Sequence, residues 1–294
     1  MTTSSAAARV RNALSIDFED WYEPFAHRGI GGWKDHPSRI PGDTERLLRV
    51  LGKYNVRCTF FVLGEVAEKF PDQIRAIRRA GHEIGSHGHR HLPLFKLQQA
   101  EFEQEMRRSL DLLGELAGEP VLGFRAPFFS LRQDSLWAID SLHKLGLKYD
   151  SSINPIASAL HGYKGAGRTP FVHPNGLIEF PITTYPVMGT AIPWGGGVYY
   201  RLMPGWIVRA GLRRLNARNI AGNIYFHPRE LDPELPRIKA GLKMHTIVYA
   251  GTRTLEAKLE RMLQQFTFVP LREWLADAAS LPTPGGAARQ AQPA

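Results

Sequence analysis

Along the first half of the chain, apolar residues fall into blocks that switch between two spacings. Ala13 to Asp17 reads as a strand, Asp43 to Lys53 as a helix capped by Asp43 or Thr44, and the largely apolar run Val56 to Leu63 as a buried strand. Glu65 to Ala80 has the spacing of an amphipathic helix ended by Gly81, and Glu83 to Ser86 is another short strand. The alternation continues with a helix over Gln98 to Leu116 and a strand over Val121 to Arg125. A helix over Asp134 to Leu145, stopped by Gly146, and a strand over Lys148 to Ile153 follow. Strands and helices that take turns in this way predict an α/β fold built on a parallel sheet or barrel. In such barrels the chemistry gathers where the strands end.

After about Ile156 the pattern breaks. The stretch to Gly176 is rich in Gly, Pro and His, and Gly195-Gly196-Gly197 interrupts a second stretch rich in aromatic residues. These read as long loops over one face of the barrel, where substrate-shaping segments usually lie. The glycine triplet is followed by no lysine-serine pair and matches no dinucleotide fingerprint, so it reads as a turn near substrate. Residues 1–10 and 281–294 are expected to be disordered.

With 294 residues, 43% of them hydrophobic, the chain can bury one sizeable core. No stretch approaches a membrane span, and the N-terminus lacks the apolar region of a secretory signal, which makes the cytoplasm the expected location. Cys58 is the only cysteine, excluding an intrachain disulfide and a cysteine-rich zinc site; between Val56 and Phe60 it is expected in the core. The net charge of +9 suits an anionic partner, but the basic residues form no long run, so nucleic acid is not favoured. One local concentration stands out: Pro204 to Asn219 carries Arg209, Arg213, Arg214 and Arg218 among Trp206, Ile207, Leu212 and Leu215. That spacing fits a surface helix, with an anionic membrane surface as the alternative contact.

The chemistry-bearing residues sit at predicted strand ends. In Ile84-Gly85-Ser86-His87-Gly88-His89-Arg90-His91, His87 and His91 are spaced to bring two imidazoles to one metal ion, given a carboxylate partner. Ser15-Ile16-Asp17-Phe18-Glu19-Asp20 runs an apolar strand into three acids, costly to hold without a cation or hydrogen-bond donors beside them. Acids also serve as ordinary helix caps. Three more segments follow strands: Arg125-Ala126-Pro127-Phe128, Tyr149-Asp150-Ser151-Ser152, and Tyr225-Phe226-His227-Pro228. Singly these read as a surface arginine, a cap and a core histidine; their order along the chain is what carries meaning.

In that order the motifs resemble the polysaccharide deacetylases of carbohydrate esterase family 4, with the NodB-homology fold, over about Leu14 to Pro228. The stretches Asp17 to Tyr22, Gly195 to Leu202 and His227 to Pro233 are similar to the subgroup found with exosortase-type exopolysaccharide loci. The resemblance implies a distorted (β/α) barrel over residues 11–230 with a helical and loop extension over 231–280 packed on it. It also implies a metal-dependent hydrolase that removes N-acetyl groups from amino sugars of a polysaccharide or its lipid-linked precursor.

The divalent metal, most often zinc, would be held by one carboxylate with His87 and His91. The acid motif allows two alignments: Asp17 as base with Glu19 or Asp20 on the metal, or Glu19 as base with Asp20 on the metal. Strand alternation puts Asp17 and Glu19 on one face and Asp20 on the other, and the first choice is Asp17 as base and Asp20 as ligand. Arg125 would pair with the base, the Phe128 amide would serve the oxyanion, and His227 would protonate the leaving amine with Asp150 orienting its ring. Trp194 and Tyr199 are the expected substrate contacts, with Trp33 and Tyr200 as further stacking platforms in a glycan-binding reading. A metal-independent small-molecule amidase of the allantoinase type is the other reading.

Overall fold

Burial explains why the first strand is central. In β1 (Arg11–Phe18) every residue after Arg11 is buried, as expected of a strand covered on both faces of a parallel sheet. The computed structural model describes residues 10–156, 162, 166–187, 190–192 and 194–282, so the two expected disordered tails fall almost wholly outside the described residues. The remaining strands are β2 (Thr59–Val62), β3 (Glu83–Ser86), β4 (Gly123–Phe124), β5 (Tyr149–Asp150), β6 (Phe171–Val172), β7 (Ile178–Glu179), β8 (Tyr185–Val187), β9 (Thr190–Ile192), β10 (Asn223–Phe226) and β11 (Thr267–Val269). The main sheet runs β10-β1-β2-β3-β4-β5-β7-β6, with β11 beside the start of β1; β8 and β9 form a separate hairpin. All pairings in the main sheet are parallel except β6 with β7.

The sheet curls into a half-barrel, since Arg125 at the end of β4 reaches Asp17 on β1, three strands away. Irregular segments, with one isolated bridge between Gly196 and Tyr225, cover the gap between β10 and β7. The Asn223 side chain donates to the Phe180 carbonyl at 2.9 Å, Thr183 N–H to the Asn223 carbonyl at 3.1 Å, and Tyr225 N–H to the Gly195 carbonyl at 2.8 Å. These bonds occupy edge groups that would otherwise lie buried and unpaired.

The glycine triplet is therefore a close-approach segment rather than a free turn. A Cβ on Gly196 would lie 2.3 Å from the Tyr225 carbonyl oxygen. Gly196→Ala is expected to cost about 1–3 kcal/mol by overpacking, read as a lower denaturation midpoint with an unchanged slope.

The helices are α1 (Glu23–Ala26), α2 (Ile40–Lys53), α3 (Gly64–Lys69), α4 (Pro71–Arg79), α5 (Gln99–Ala117), α6 (Trp137–Lys144), α7 (Gly197–Leu202), α8 (Gly205–Asn216), α9 (Gly241–Tyr249) and α10 (Thr252–Gln265). The single helix expected over Glu65 to Ala80 is two, because Pro71 has no N–H and forces Phe70 out of helical geometry (φ −133°). Helix α2 starts at Ile40, ahead of the expected cap, so Asp43 lies in its first turn. Cys58 is buried in the main core with Leu14, Phe60 and Leu47. The C-terminal part does more than pack on the barrel: β11 pairs with β1, and Leu235, Met244, Val248 and Tyr249 close over Trp21 and Phe25, just beyond the acidic motif.

Candidate active site

The strand ends of β1, β3, β4 and β10 converge. β1 stops at Phe18 and the chain turns tightly, with Glu19 N–H on the Asp17 carbonyl at 3.1 Å. His87 follows β3 directly, and Gly88, at φ +85°, reverses the loop that returns His91 to the same place. Glu19 Oε2 lies 2.7 Å from His91 Nε2 and 3.8 Å from His87 Nε2. His87 Nδ1 donates to the Arg125 carbonyl at 2.7 Å, which fixes the ring and turns Nε2 toward Glu19. The intervening His89 turns away to α3, its Nε2 3.7 Å from Glu68.

The charges in this cluster are strongly coupled. Burial opposes ionisation of Glu19, yet His91, Arg229 and His227 outweigh it and hold the carboxyl well below its usual range. Burial also disfavours a charged His91, but Glu19 and Glu23 raise it to about 9, whereas burial takes His87 down to about 4. The ligand atoms of Glu19, His87 and His91 all lie within 4.8 Å of one another. One carboxylate and two imidazoles, one of them oriented by a backbone carbonyl, fit a divalent cation. A cation held there would place its charge where His91 Nε2 now faces Glu19 Oε2.

Asp20 does not join the cluster. Its Oδ1 accepts Trp21 N–H at 2.9 Å and Arg39 N–H at 3.2 Å, tying the acidic turn to the start of α2. Of the carboxylates read from the sequence, the structure brings Glu19 to the two histidines, while the turn after Phe18 sends the Asp20 side chain, the first choice, toward backbone donors.

Asp17 meets a buried arginine. Arg125, fully buried, donates from Nη1 to Asp17 Oδ1 and to Ser15 Oγ, both at 2.7 Å, and from Nε to the Ser151 carbonyl at 3.1 Å. Its guanidinium lies over the Phe61 ring at 4.3 Å. His227 Nε2 stands 4.0 Å from Asp17 Oδ2 and 3.7 Å from Glu19 Oε1. Arg229 also contacts Glu19 Oε1.

The group behind His227 is Glu230, not Asp150. Glu230 Oε2 accepts His227 N–H at 3.1 Å and its Oε1 lies 3.5 Å from His227 Nδ1. Burial opposes its ionisation, but Arg201, His227 and Arg229 pull it down to about 2. Arg201 Nε is 3.0 Å from Glu230, and its Nη1 donates to the Val248 and Ala250 carbonyls at the end of α9. Asp150, on β5, lies several strands from β10 and instead bonds Ser152, whose Oγ accepts Ala126 N–H at 2.8 Å. Arg229, Glu230 and the His91 neighbour Glu23 (3.3 Å) carried no periodic or spacing signal, although the first two adjoin His227 in the sequence.

Asp150 and Glu179 form a buried carboxyl pair. Burial and mutual repulsion raise Asp150 well above the usual range, and burial raises Glu179 from 4.5 to about 7. Folding therefore retains protons that the unfolded chain releases, so stability attributable to the pair falls as pH rises from about 4.5 to about 7. Glu179→Gln is expected to flatten the unfolding free energy over that window, measured by urea titration at a series of pH values.

The aromatic residues divide. Phe128 (φ 58°) and Phe129 (φ 53°) both adopt left-handed geometry in the turn after β4. The Phe128 ring lies 4.3 Å from both His91 and His27, so it walls the cluster. In that turn the Phe129 and Ser130 amides bond the Ala126 and Pro127 carbonyls; the Phe128 amide takes no part in those two bonds. Trp194 is buried in the core against Gly211, and Tyr200 is buried edge-on to Phe226, so neither is a stacking platform. Tyr199 is exposed on α7, and Trp33 stacks on Tyr22 at 4.5 Å, near Glu23.

Residues 18–149, which carry the acidic turn, both histidines and Arg125, match the polysaccharide deacetylase family model. That region is a polysaccharide deacetylase domain. Residues 151–276 match a domain of unknown function, DUF3473, which supplies His227, Arg229, Glu230 and Arg201. The chain is 28% identical over 155 residues to a peptidoglycan-N-acetylglucosamine deacetylase of Bacillus cereus, covering 46% of this chain and 56% of that protein. It is 33% identical over 108 residues to a peptidoglycan deacetylase of Helicobacter pylori, covering 37% and 36%. It is 36% identical over 92 residues to a chitin deacetylase of Colletotrichum lindemuthianum, covering 30% and 37%. These alignments span about half or less of each relative. Among solved structures, a protein of Mycobacterium smegmatis assigned as a polysaccharide deacetylase superposes with a TM-score of 0.61 at 18% identity, covering 98% and 96% of the two chains. Puue allantoinase superposes with 0.60 at 16%, covering 93% and 92%. Both confirm the curled α/β half-barrel. Among the described residues, no helix is long and apolar enough to cross a membrane.

Proposed function

We propose that the protein is a metal-dependent hydrolase that removes N-acetyl groups from amino sugars of a polysaccharide or its lipid-linked precursor, in exopolysaccharide biosynthesis. The carrying observation is the convergence of Glu19, His87 and His91 beside the Asp17–Arg125 pair. A divalent cation, zinc in the first instance, held by Glu19, His87 and His91 supplies Lewis acidity toward the amide carbonyl and the attacking water.

Asp17 takes the proton of that water, and Arg125 aims its carboxylate. The Phe128 amide donates to the oxyanion as water oxygen bonds the acetyl carbon. The C–N bond then breaks, with His227 delivering the proton that lets the nitrogen leave as an amine, and acetate is the second product. Glu230, whose Oε1 lies 3.5 Å from His227 Nδ1, takes the positioning role expected of Asp150. Trp33, stacked on Tyr22, offers a platform for a sugar ring.

The allantoinase-like fold alone leaves a metal-independent amidase open; the two-histidine, one-carboxylate donor set speaks for the metal enzyme. The deciding experiment measures metal content and acetate release from an N-acetylglucosamine oligomer for the wild type and His87→Ala. Stoichiometric metal and acetate release, both lost in the variant, are expected. Metal-free protein with full acetate release would overturn metal dependence, and neither signal after reconstitution would favour a glycan-binding protein. Cell fractionation tests the expected cytoplasmic location.

A further inference from the structure

The strongly exposed large apolar side chains among the described residues all lie between residues 199 and 242: Tyr199 (52%), Leu202 (55%), Trp206 (65%), Ile207 (39%) and Leu242 (84%). Four of them sit on α7 and the first turn of α8, separated only by Met203 and Pro204. On α8, Trp206, Ile207, Ala210, Arg213 and Arg214 are all exposed, whereas Val208 and Leu212 are buried. The solvent face of α8 is thus apolar in its first half and cationic in its second.

The chain segment that carries this face has charge of one sign. From Phe180 to Arg229 the sequence contains no Asp or Glu, while it contains Arg201, Arg209, Arg213, Arg214, Arg218 and Arg229. Single exposed apolar residues are ordinary; a cluster of them in a segment whose charged side chains are all arginines is not. A second copy of the chain would set arginine against arginine. The complementary surface is both apolar and anionic, which is the headgroup and acyl boundary of a bilayer with acidic lipids.

We propose that the α7–α8 face docks the protein on an anionic lipid bilayer, with Trp206 and Ile207 at the headgroup boundary and Arg213 and Arg214 against lipid phosphates. The same short helix that exposes Tyr199 and Leu202 buries Arg201 against Glu230, so the docking face and the candidate active site share an element. Docking would bring the site to substrate held at a membrane.

Vesicle co-sedimentation tests this without substrate, so its failure leaves the reading of the site intact. The full chain is expected to sediment with phosphatidylglycerol-containing vesicles at low salt, to be released by high salt, and to stay in solution with phosphatidylcholine alone. Arg213→Glu with Arg214→Glu, and separately Trp206→Ala with Ile207→Ala, should each weaken partition by about tenfold or more with unchanged circular dichroism. Three results would overturn the proposal. The wild type stays in the supernatant with anionic vesicles; the folded charge-reversed variant binds them as tightly as the wild type; or sedimentation velocity shows a dimer that Trp206→Ala dissolves.

Discussion

Glu19→Gln is expected to abolish stoichiometric metal binding and to lower acetate release by a factor on the order of 10² or more, the loss exceeding that typical of an outer-shell partner. The amide keeps the size of the side chain but surrenders the charge that draws His91 to 2.7 Å and that Arg229 neutralises from the other side. Asp20→Asn is the matched control. Its carboxylate serves Trp21 and Arg39 amides, which an amide oxygen still satisfies, so metal content should stay stoichiometric. Elemental analysis of both purified variants checks this, and metal lost from Asp20→Asn but kept by Glu19→Gln would reverse the assignment.

Asp17→Asn is expected to lower acetate release by about 10²–10⁴ while metal content is unchanged, because it removes the proton acceptor and none of the three metal-facing atoms. It should also destabilise the fold. Arg125 is fully buried and Asp17 is its one carboxylate contact among the described residues, the others being Ser15, Ser151 and aromatic rings. Removing one partner of a buried ion pair costs about 3–5 kcal/mol, here eased by the hydroxyl and carbonyl acceptors that remain. Thermal unfolding beside a metal assay separates the two effects. An Asp17→Asn protein with wild-type turnover would remove Asp17 from the chemistry, whatever its stability.

Much of the site was legible because its residues lie at the ends of strands whose apolar runs are local features. His87 and His91 flank a single loop after β3, and Arg125 and His227 end β4 and β10 as their sequence context implied. The carboxylate was harder. Asp17, Glu19 and Asp20 lie within four residues, and which one faces the histidines depends on a backbone turn closed by the Glu19 N–H to Asp17 carbonyl bond. Trp194 shows the opposite failure: an aromatic beside a glycine triplet looks like a substrate wall, yet it fills the space against Gly211 in the core.

What the sequence determined by itself was the order of the parallel elements and the set of candidate groups. Hydrophobic period and strand-end chemistry are written in short windows of residues. Only the tertiary structure decided which groups act together. Glu230 reaches His227 within one turn, but it is charged and held there by Arg201, itself anchored on carbonyls at the end of α9. Asp150 instead bonds Ser152 and is coupled to the buried Glu179. Such pairings depend on how the sheet curls and what packs over it, and those are sums over contacts between residues far apart in the chain.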